Sequence, residues 1–314
     1  MHDPARIAVA DLGTNSTRLL VAEVTSDGHV TPVERRSEVT RLGDGVDASG
    51  RLSDAAMQRV ADVLARYREI ATEAGASRSV AVATSAVRDA DNGQEFRDRV
   101  RAQTGFELVV IPGEEEARLT FLGATAGHSG DEPVLVIDIG GGSTEFVIGL
   151  PGRAPGFHVS TRLGSVRQSE RHLASDPPEH HETEALGRAA REIVADNVPE
   201  AERSRARSAI AVAGTATSLA AIDQELVPYD PDRVDGYRLG LADCERILAR
   251  LASMPLADRR RVPGLHPDRA PTIVAGAAIL VSALQIFGLR EAEVREADIL
   301  HGVALDALYK GEHG

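Results

Sequence analysis

Two stretches of this chain are nearly alike: Ile7-Ala-Val-Ala-Asp11-Leu-Gly13-Thr-Asn15-Ser16-Thr17-Arg18 and Val134-Leu-Val-Ile-Asp138-Ile-Gly140-Gly141-Gly142-Ser143-Thr144-Glu145. In each, an apolar run ends in an Asp, passes through a polar loop that contains Gly, and enters a second apolar run. This pattern predicts a buried β-hairpin with a tight turn. The repetition predicts two similar lobes, each with one such loop facing a shared cleft.

The residue types in these loops indicate phosphate chemistry. Backbone N–H groups of a tight turn, together with Ser and Thr hydroxyls, can cradle a phosphate, and Asp carboxylates can hold a hydrated Mg²⁺ beside it. Arg18 occupies the position of Glu145, so one copy offers a cation to phosphate and the other a carboxylate to metal. The predicted phosphate-binding positions of the two loops are Gly13, Asn15, Ser16, Arg18, Gly140, Gly141, Gly142 and Ser143.

Composition excludes several classes of protein. The chain has 314 residues, of which 42% are hydrophobic and 26% charged, as in globular proteins with room for two domains. A net charge of −13 argues against a broad nucleic-acid-binding surface. The apolar stretch 272–289 predicts a buried helix rather than a membrane span. No signal peptide is expected, and the single Cys244 suits a reducing cytoplasm.

Strands alternate with helices in both halves, which predicts an α/β fold. In the first half we expect the hairpin at 6–24, a polar stretch over 35–45, a helix over 54–74, a strand at 80–84, a helix over 93–104, a strand at 107–111 and a helix from Glu114. In the second half we expect the hairpin at 134–149, a strand at 157–162, a helix over 164–173, an exposed loop at 175–182, a helix over 183–197, a strand at 210–213, helices over 241–253 and 271–287, and a short strand at 294–295. A last helix, about 298–309, is expected to pack on the first lobe. The predicted lobes are therefore residues 1–122 with about 298–314, and residues 123–297.

Several residues outside the two loops are candidates for chemistry. Gly214 and Thr215 follow a strand and open a helix, so their amides would lie at the positive end of a helix dipole. A carboxylate of the run 114–116 could act as general base on water, although acids also favour a first helical turn and Glu114 could pair with Arg118. Arg88, at the end of a strand, is either a surface cation or a phosphate clamp.

Two further clusters have weaker functional signals. The run Arg259-Arg260-Arg261 is either a polyanion-binding site or a solvated face. The pair His180-His181 has no partners at metal-ligand spacing, which indicates solvated side chains.

Taken together, these motifs resemble the exopolyphosphatase / guanosine pentaphosphate phosphohydrolase (Ppx/GppA) family. The resemblance is carried by Asp11-Leu-Gly-Thr-Asn-Ser, Thr84-Ser-Ala-Val-Arg88, Gly113-Glu-Glu-Glu-Ala-Arg118, Asp138-Ile-Gly-Gly-Gly-Ser-Thr-Glu145, Gly214-Thr215 and Val262-Pro-Gly-Leu265, in the family's order. The chain resembles the family's short, two-domain form, within the actin / sugar kinase / heat-shock ATPase superfamily.

The resemblance implies a fold and a set of roles. The fold would be two ribonuclease H-like lobes with an interdomain active-site cleft. Glu116 would be the catalytic base and Arg88 a phosphate clamp. Asp138 and Glu145, with Asp11 nearby, would hold Mg²⁺ or another divalent cation. Asn15, Ser16, Gly141, Gly142, Ser143 and Gly214 would contact phosphate.

These roles predict an exopolyphosphatase that hydrolyses the terminal phosphoanhydride of inorganic polyphosphate. A guanosine pentaphosphate phosphohydrolase has the same chemistry and remains an alternative, and (p)ppGpp could be substrate or inhibitor. An ATP-dependent kinase or ATPase would need an adenosine pocket near Gly214, and a polyphosphate or alarmone sensor would need no water-activating carboxylate. The family resemblance also implies a homodimer, and the charge and composition predict no nucleic-acid or membrane partner.

Overall fold

A computed structural model describes residues 5–25 and 28–312. The chain divides into two compact units, one made of residues 1–128 and 298–314 and the other of residues 129–297. The helix that ends the first segment continues to Ala124, so the boundary expected at residue 122 falls inside its last turn. Each unit contains one β-sheet and its own hydrophobic core.

The first unit is built on a five-stranded sheet. Its strands are β1 (Ala5–Leu12), β2 (Ser16–Val24), β3 (Val30–Val39), β4 (Arg78–Ala83) and β5 (Leu108–Val110). Its helices are α1 (Val46–Ser49), α2 (Asp54–Glu73), α3 (Ser85–Arg88), α4 (Gly93–Thr104), α5 (Gly113–Ala124) and, after the second unit, α14 (Ile299–Glu312).

Both faces of this sheet are buried, because successive side chains of a strand point to opposite faces. Ala8 and Ala10 of β1 belong to the cluster formed with α2 and α4. Ile7 and Val9 belong to the opposite cluster, which includes side chains of α14. Helices therefore cover both faces, and the ends of the central strands remain as places for polar residues.

The second unit is built on a six-stranded sheet. Its strands are β6 (Val134–Ile139), β7 (Thr144–Gly149), β8 (Phe157–Thr161), β9 (Ser208–Val212), β10 (Tyr237–Gly240) and β11 (Glu291–Val294). Its helices are α6 (Ser165–His172), α7 (His180–Asn197), α8 (Glu200–Arg203), α9 (Ala213–Asp223), α10 (Pro231–Val234), α11 (Leu241–Ala252), α12 (Leu256–Arg259) and α13 (Ile273–Phe287), with a 3-10 turn at Pro267–Arg269.

The two sheets share one topology. The first has the order β3-β2-β1-β4-β5, and the second has the equivalent order β8-β7-β6-β9-β11 with β10 added at its edge. In each sheet the three strands that come first in the chain form an antiparallel meander. Two later strands continue each sheet in parallel, β4 and β5 in the first and β9 and β11 in the second, and β10 pairs antiparallel with β11. The prediction of an α/β protein with two lobes of the same ribonuclease H-like type is confirmed.

The helix α13 is the centre of the second core. All of its side chains except Gln285 and Ile286 are buried. This explains the long apolar stretch of the sequence, which is the signature of a helix surrounded by protein. Among the described residues, no helix combines the length and the apolar character that a membrane crossing requires.

Several sequence-based assignments were wrong, and three of them concern the sheets and the start of α7. The polar stretch that includes 35–39 is part of β3, an edge strand that pairs with β2, and its solvated side chains lack the alternation typical of strands. The edge strand β10 has four residues and was not expected. The loop expected at 175–182 ends at Glu179, because Glu179 and Glu182 form a capping box that starts α7 at His180.

Candidate active site

The two hairpin turns have the same geometry. The N–H of Gly13 donates to the carbonyl of Ser16 at 3.0 Å, and the N–H of Gly140 donates to the carbonyl of Ser143 at 3.0 Å. A Cβ at Gly13 would lie 3.1 Å from the Ser16 carbonyl oxygen, and one at Gly140 would lie 3.2 Å from that of Ser143. Each turn therefore closes tightly enough to favour glycine at its first position.

The second loop is held from behind by helix α6. First-turn N–H groups of α6 donate to the carbonyl oxygens of Gly140 and Gly141 at 2.9 and 2.8 Å, and Nε of Arg167 donates to that of Gly142 at 2.9 Å. In a planar trans peptide the N–H points opposite to the C=O. The N–H groups of residues 141–143 therefore point away from α6, and they form a concave set of donors of the kind that binds anions.

The first loop is held in a similar way by the segment before α1. The N–H of Gly43 donates to the carbonyl of Thr14 at 2.8 Å, and the N–H of Arg41 donates to that of Asn15 at 2.9 Å. The same planarity argument directs the N–H groups of Asn15 and Ser16 away from this segment. Both loops thus present backbone donors on the side opposite their supports.

The strand register places an acidic residue and its partner side by side at the start of each loop. Asp11 is paired with Arg18 across β1 and β2, and Asp138 is paired with Glu145 across β6 and β7. Residues directly opposite in an antiparallel pair have their side chains on one face, about 5 Å apart at Cβ. The exposed fractions of Asp138 and Glu145 are only 6% and 1%.

A pair of buried carboxylates needs compensation by donors or by a cation. The Ser160 hydroxyl supplies part of this compensation, because it donates to Oε1 of Glu145 at 2.7 Å. The oxygen atoms of Asp138 and Glu145 are hard ligands of the kind that Mg²⁺ prefers. These two side chains therefore have the chemistry and the placement of metal ligands.

Arg18 bonds to two carboxylates of its own unit. Its Nε and Nη2 donate to Oδ2 of Asp11 at 3.1 and 2.6 Å, and its Nη1 donates to Oδ2 of Asp298. The sequence suggested that Arg18 contacts phosphate; the structure places three of its donors on acids instead. A phosphate contact by Arg18 remains a prediction.

Asp11 has one oxygen without a partner. Its side chain is 4% exposed, and Oδ1 is a buried polar atom that accepts no hydrogen bond from the described residues. Burial raises the pKa of Asp11 above its usual value, and the nearby charge of Asp298 adds to this, whereas Arg18 opposes it. An open carboxylate oxygen in a buried position is suited to a cation.

Only one of three consecutive glutamates faces inward. In the first turn of α5, Glu114 is exposed and Glu115 is half-buried, whereas Glu116 is 7% exposed. Glu115 pairs with Arg118 at 2.7 Å, so the ion pair expected between Glu114 and Arg118 is formed by the neighbouring acid. The helix therefore selects Glu116 as the buried carboxylate.

Arg88 and Glu116 form an ion pair. Nη1 of Arg88 donates to Oε2 of Glu116 at 3.0 Å and to the carbonyl of Ile111 at 3.1 Å. Arg88 lies in α3, directly after β4, and β5 next to it leads into α5. This order of elements brings a cation and a carboxylate together from positions 88 and 116, and the guanidinium holds the carboxylate in place.

The third glycine site lies where β9 turns into α9. Ala213 has a left-handed backbone with φ of 63°, which is uncommon for a residue with a Cβ and indicates a forced turn. The Thr215 hydroxyl points toward the carbonyl of Ile139 at 3.5 Å, at the end of the neighbouring strand β6. Gly214 and Thr215 thus adjoin the second loop within the same unit.

Arg269 is a candidate that the sequence motifs did not reveal. Its guanidinium lies against Gly214, so closely that a Cβ at this glycine would overlap with it. Its packing against Gly214, which the sequence does not show, distinguishes Arg269 from the other arginines as a candidate site residue. A cation beside a helix N-terminus adds to the positive potential there.

The other two clusters are structural or solvated. Arg259 is 3% exposed and donates to the carbonyls of Leu251, Met254 and Ala270, whereas Arg261 is exposed and pairs with Asp258. Both hypotheses for the run 259–261, a polyanion-binding site and a solvated face, are therefore wrong for Arg259. His180 and His181 are exposed, as expected, and lie near Glu184 and Glu179.

Comparisons with known proteins agree over almost the whole chain. The model of the Ppx/GppA phosphatase family matches residues 20–310. Exopolyphosphatase 2 of Mycobacterium tuberculosis is 37% identical over 315 residues, which cover 96% of this chain and 98% of that protein. A solved exopolyphosphatase-like protein superposes with a TM-score of 0.90 at 33% identity, covering 98% of this chain and 99% of that one. An exopolyphosphatase from Cytophaga hutchinsonii has a TM-score of 0.88 at 27% identity and covers 96% of this chain and 98% of its own.

Proposed function

This chain belongs to the Ppx/GppA phosphatase family, and on that premise we propose that it is an exopolyphosphatase. The proposed reaction is hydrolysis of the terminal phosphoanhydride of inorganic polyphosphate, which releases orthophosphate. The observation that carries the proposal is the pair of matched loops. In each loop the carbonyls accept hydrogen bonds from a supporting segment, and the N–H groups point away from that segment. Such loops bind phosphate oxygens without recognising any other part of a substrate.

The proposed binding of the terminal phosphate uses donors from the two loops. N–H groups of Asn15 and Ser16 and of residues 141–143 would contact its oxygens, and Gly214 and Thr215 would contribute from the start of α9. These donors are fixed before substrate binds, because their carbonyls are already hydrogen-bonded. Preorganised dipoles are the main source of charge stabilisation in phosphoryl transfer.

The chemical step requires one proton acceptor. Glu116 would accept a proton from the attacking water, the water oxygen would form a bond to the terminal phosphorus, and the bridging P–O bond would break. The products are orthophosphate and a chain shorter by one phosphate. Arg88 holds Glu116 through its Nη1, so it orients the base and adds positive charge near the phosphate.

The residues also fit a divalent cation. Asp138 and Glu145 lie opposite each other on one face, and Oδ1 of Asp11 is an orphaned buried oxygen. No group of three or more His, Cys, Asp or Glu side chains within residues 5–25 and 28–312 forms a metal cage. Mg²⁺ usually takes one or two carboxylates and fills its other positions with water and phosphate, so the pair Asp138 and Glu145 fits this ion. A bound Mg²⁺ would neutralise charge on the phosphate oxygens.

The test is phosphate release with Mg²⁺ from short polyphosphate, long polyphosphate, guanosine pentaphosphate and ATP, with Glu116→Gln as the blank. Faster release from either polyphosphate supports the proposal and gives the preferred length. Release mainly from guanosine pentaphosphate would move the assignment to the alarmone. Tight binding without release would identify a sensor, and phosphate release only from ATP would identify an ATPase. A homodimer and a cytoplasmic location remain predictions of the sequence.

A further inference from the structure

Asp298 connects the start of α14 to the first loop through Arg18. It is the first residue of the returning segment that belongs to the first unit, and it is 3% exposed. Its Oδ2 accepts from Nη1 of Arg18, and Arg18 reaches Asp11 with Nε and Nη2. Two buried carboxylates therefore share one guanidinium.

Arg18 and Asp11 do not pair in the common bidentate geometry. A guanidinium and a carboxylate usually pair in a fork, with two parallel bonds to the two oxygens. Here Nε and Nη2 of Arg18 both point to Oδ2 of Asp11, while its third arm is held by Asp298. As a result, Oδ1 of Asp11 has no hydrogen-bond partner among the described residues.

Helix capping alone does not explain an acid at position 298. Oδ1 of Asp298 caps α14 by accepting from the N–H of Leu300 at 3.0 Å. Asn or Ser would cap equally well, and neither would bury a charge. With both acids ionised, Asp11 and Asp298 carry one negative charge more than Arg18 neutralises, and His301, whose Nδ1 lies 3.9 Å from Oδ1 of Asp298, is a further neighbour of this pair.

We propose that Asp298 is a positioning residue for cation binding by Asp11. It holds Arg18 away from the fork geometry, so Oδ1 of Asp11 stays open, and it supplies the surplus negative charge that draws a divalent cation to that oxygen. The inference rests on the proposed function for its consequence in catalysis. Its binding component concerns Asp11, Arg18 and Asp298, with His301 beside Asp298, and does not depend on the proposed reaction.

Asp298→Asn tests the proposal. The variant retains a capping oxygen, removes the charge, and turns an amide NH₂ toward Arg18. Arg18 is then free to form a fork with both oxygens of Asp11. We expect the dissociation constant for Mg²⁺, measured by calorimetry without substrate, to rise roughly tenfold. The Mg²⁺ concentration for half-maximal phosphate release should rise in parallel, with kcat at saturating Mg²⁺ nearly unchanged.

Asp306→Asn is the matched control, because it removes the same charge from the same helix at a site that pairs with Arg118. It should leave Mg²⁺ affinity within about twofold of the wild type. If Asp298→Asn fails to fold, Asp298→Ser retains a cap and removes the charge in another way. Equal Mg²⁺ affinity in the position-298 variant and the control, or a wild type that binds no Mg²⁺, would overturn the inference. If Mg²⁺ binding changes as expected but polyphosphate is not hydrolysed, the inference stands and the proposed function fails.

Discussion

Glu116 differs from the two acids before it in burial and in partner. Glu115 is neutralised by Arg118 on the surface of α5, whereas Glu116 is buried against Arg88. A base must sit where water can be oriented against a bound phosphate, and a buried carboxylate held by a guanidinium is suited to that task. The candidate role therefore depends on where the helix places each acid.

We expect Glu116→Gln to lower kcat by about 1000-fold, because an amide cannot accept the proton from water. Substrate affinity should change little, since the loops that bind phosphate are intact. The measurement is phosphate release together with polyphosphate binding. Glu115→Gln is the matched control and should retain activity within about twofold. Normal turnover by a folded Glu116→Gln protein would refute the assignment.

Arg259 and Arg261 are two residues apart in the chain but have different environments. Nε and both terminal nitrogens of Arg259 donate to backbone carbonyls inside the second unit, while Arg261 pairs with Asp258 in solvent. Burial lowers the pKa of the Arg259 guanidinium below its usual value, only partly offset by Asp176. A charge in this position is tolerated because its donors are satisfied.

Arg259→Ala should lower the free energy of unfolding by about 3 kcal/mol, because it leaves three buried carbonyls without their donors. Arg261→Ala should change it by less than about 0.5 kcal/mol. Urea unfolding of both variants checks the difference. Equal stabilities would show that Arg259 does not support the core.

At the scale of elements, the second loop depends on the start of α6. Gly164 precedes this helix, and a Cβ there would overlap with the backbone of Gly141 and Gly142. The helix N-terminus can approach the loop closely enough to bind its carbonyls only because residue 164 has no side chain. Gly164 is thus a packing position behind the second loop that the motifs did not single out.

Gly164→Ala should push the loop forward and lower kcat/KM by about 100-fold, the usual cost of moving a binding group by an ångström. Gly156→Ala is the control, because a Cβ at Gly156 would lie no closer than 3.5 Å to its nearest neighbour, the flexible side chain of Arg205. The measurement is the rate of phosphate release at low substrate concentration, with melting temperatures to check folding. Wild-type kinetics for Gly164→Ala would mean that the loop does not bind substrate.

At the scale of the whole molecule, the first unit is discontinuous. Ile299, Leu300 and Val303 of α14 complete the cluster that covers one face of the first sheet. The close contact of α14 with α5 depends on Gly123 and Gly302, where any Cβ would overlap with backbone of the facing helix. The end of the chain is therefore part of the first core.

Removal of residues 298–314 should unfold the first unit but spare the second, which contains none of them. Three buried aliphatic side chains contribute about 2 kcal/mol each, which is a large share of the stability of a domain. Limited proteolysis should leave a resistant fragment close to residues 129–297. A truncated protein that resists proteolysis along its whole length would contradict this view of the core.

The sequence by itself determined the two hairpins, the α/β class and the family, because these depend on local patterns: apolar runs, glycine turns and fixed spacings of acids. It also determined most helices of both units within a few residues, α2 with its Ser53 cap among them. It could not determine β3, because the pairing of a polar edge strand is decided by its neighbour, β2.

Only the tertiary structure decided which of several similar residues has which partner. Tertiary contacts decide that Glu116 rather than Glu115 is buried against Arg88, and that Arg18 bonds to Asp298. They also decide that Arg259 rather than Arg261 is buried. Such contacts depend on distance and burial in three dimensions, which a sequence motif does not specify.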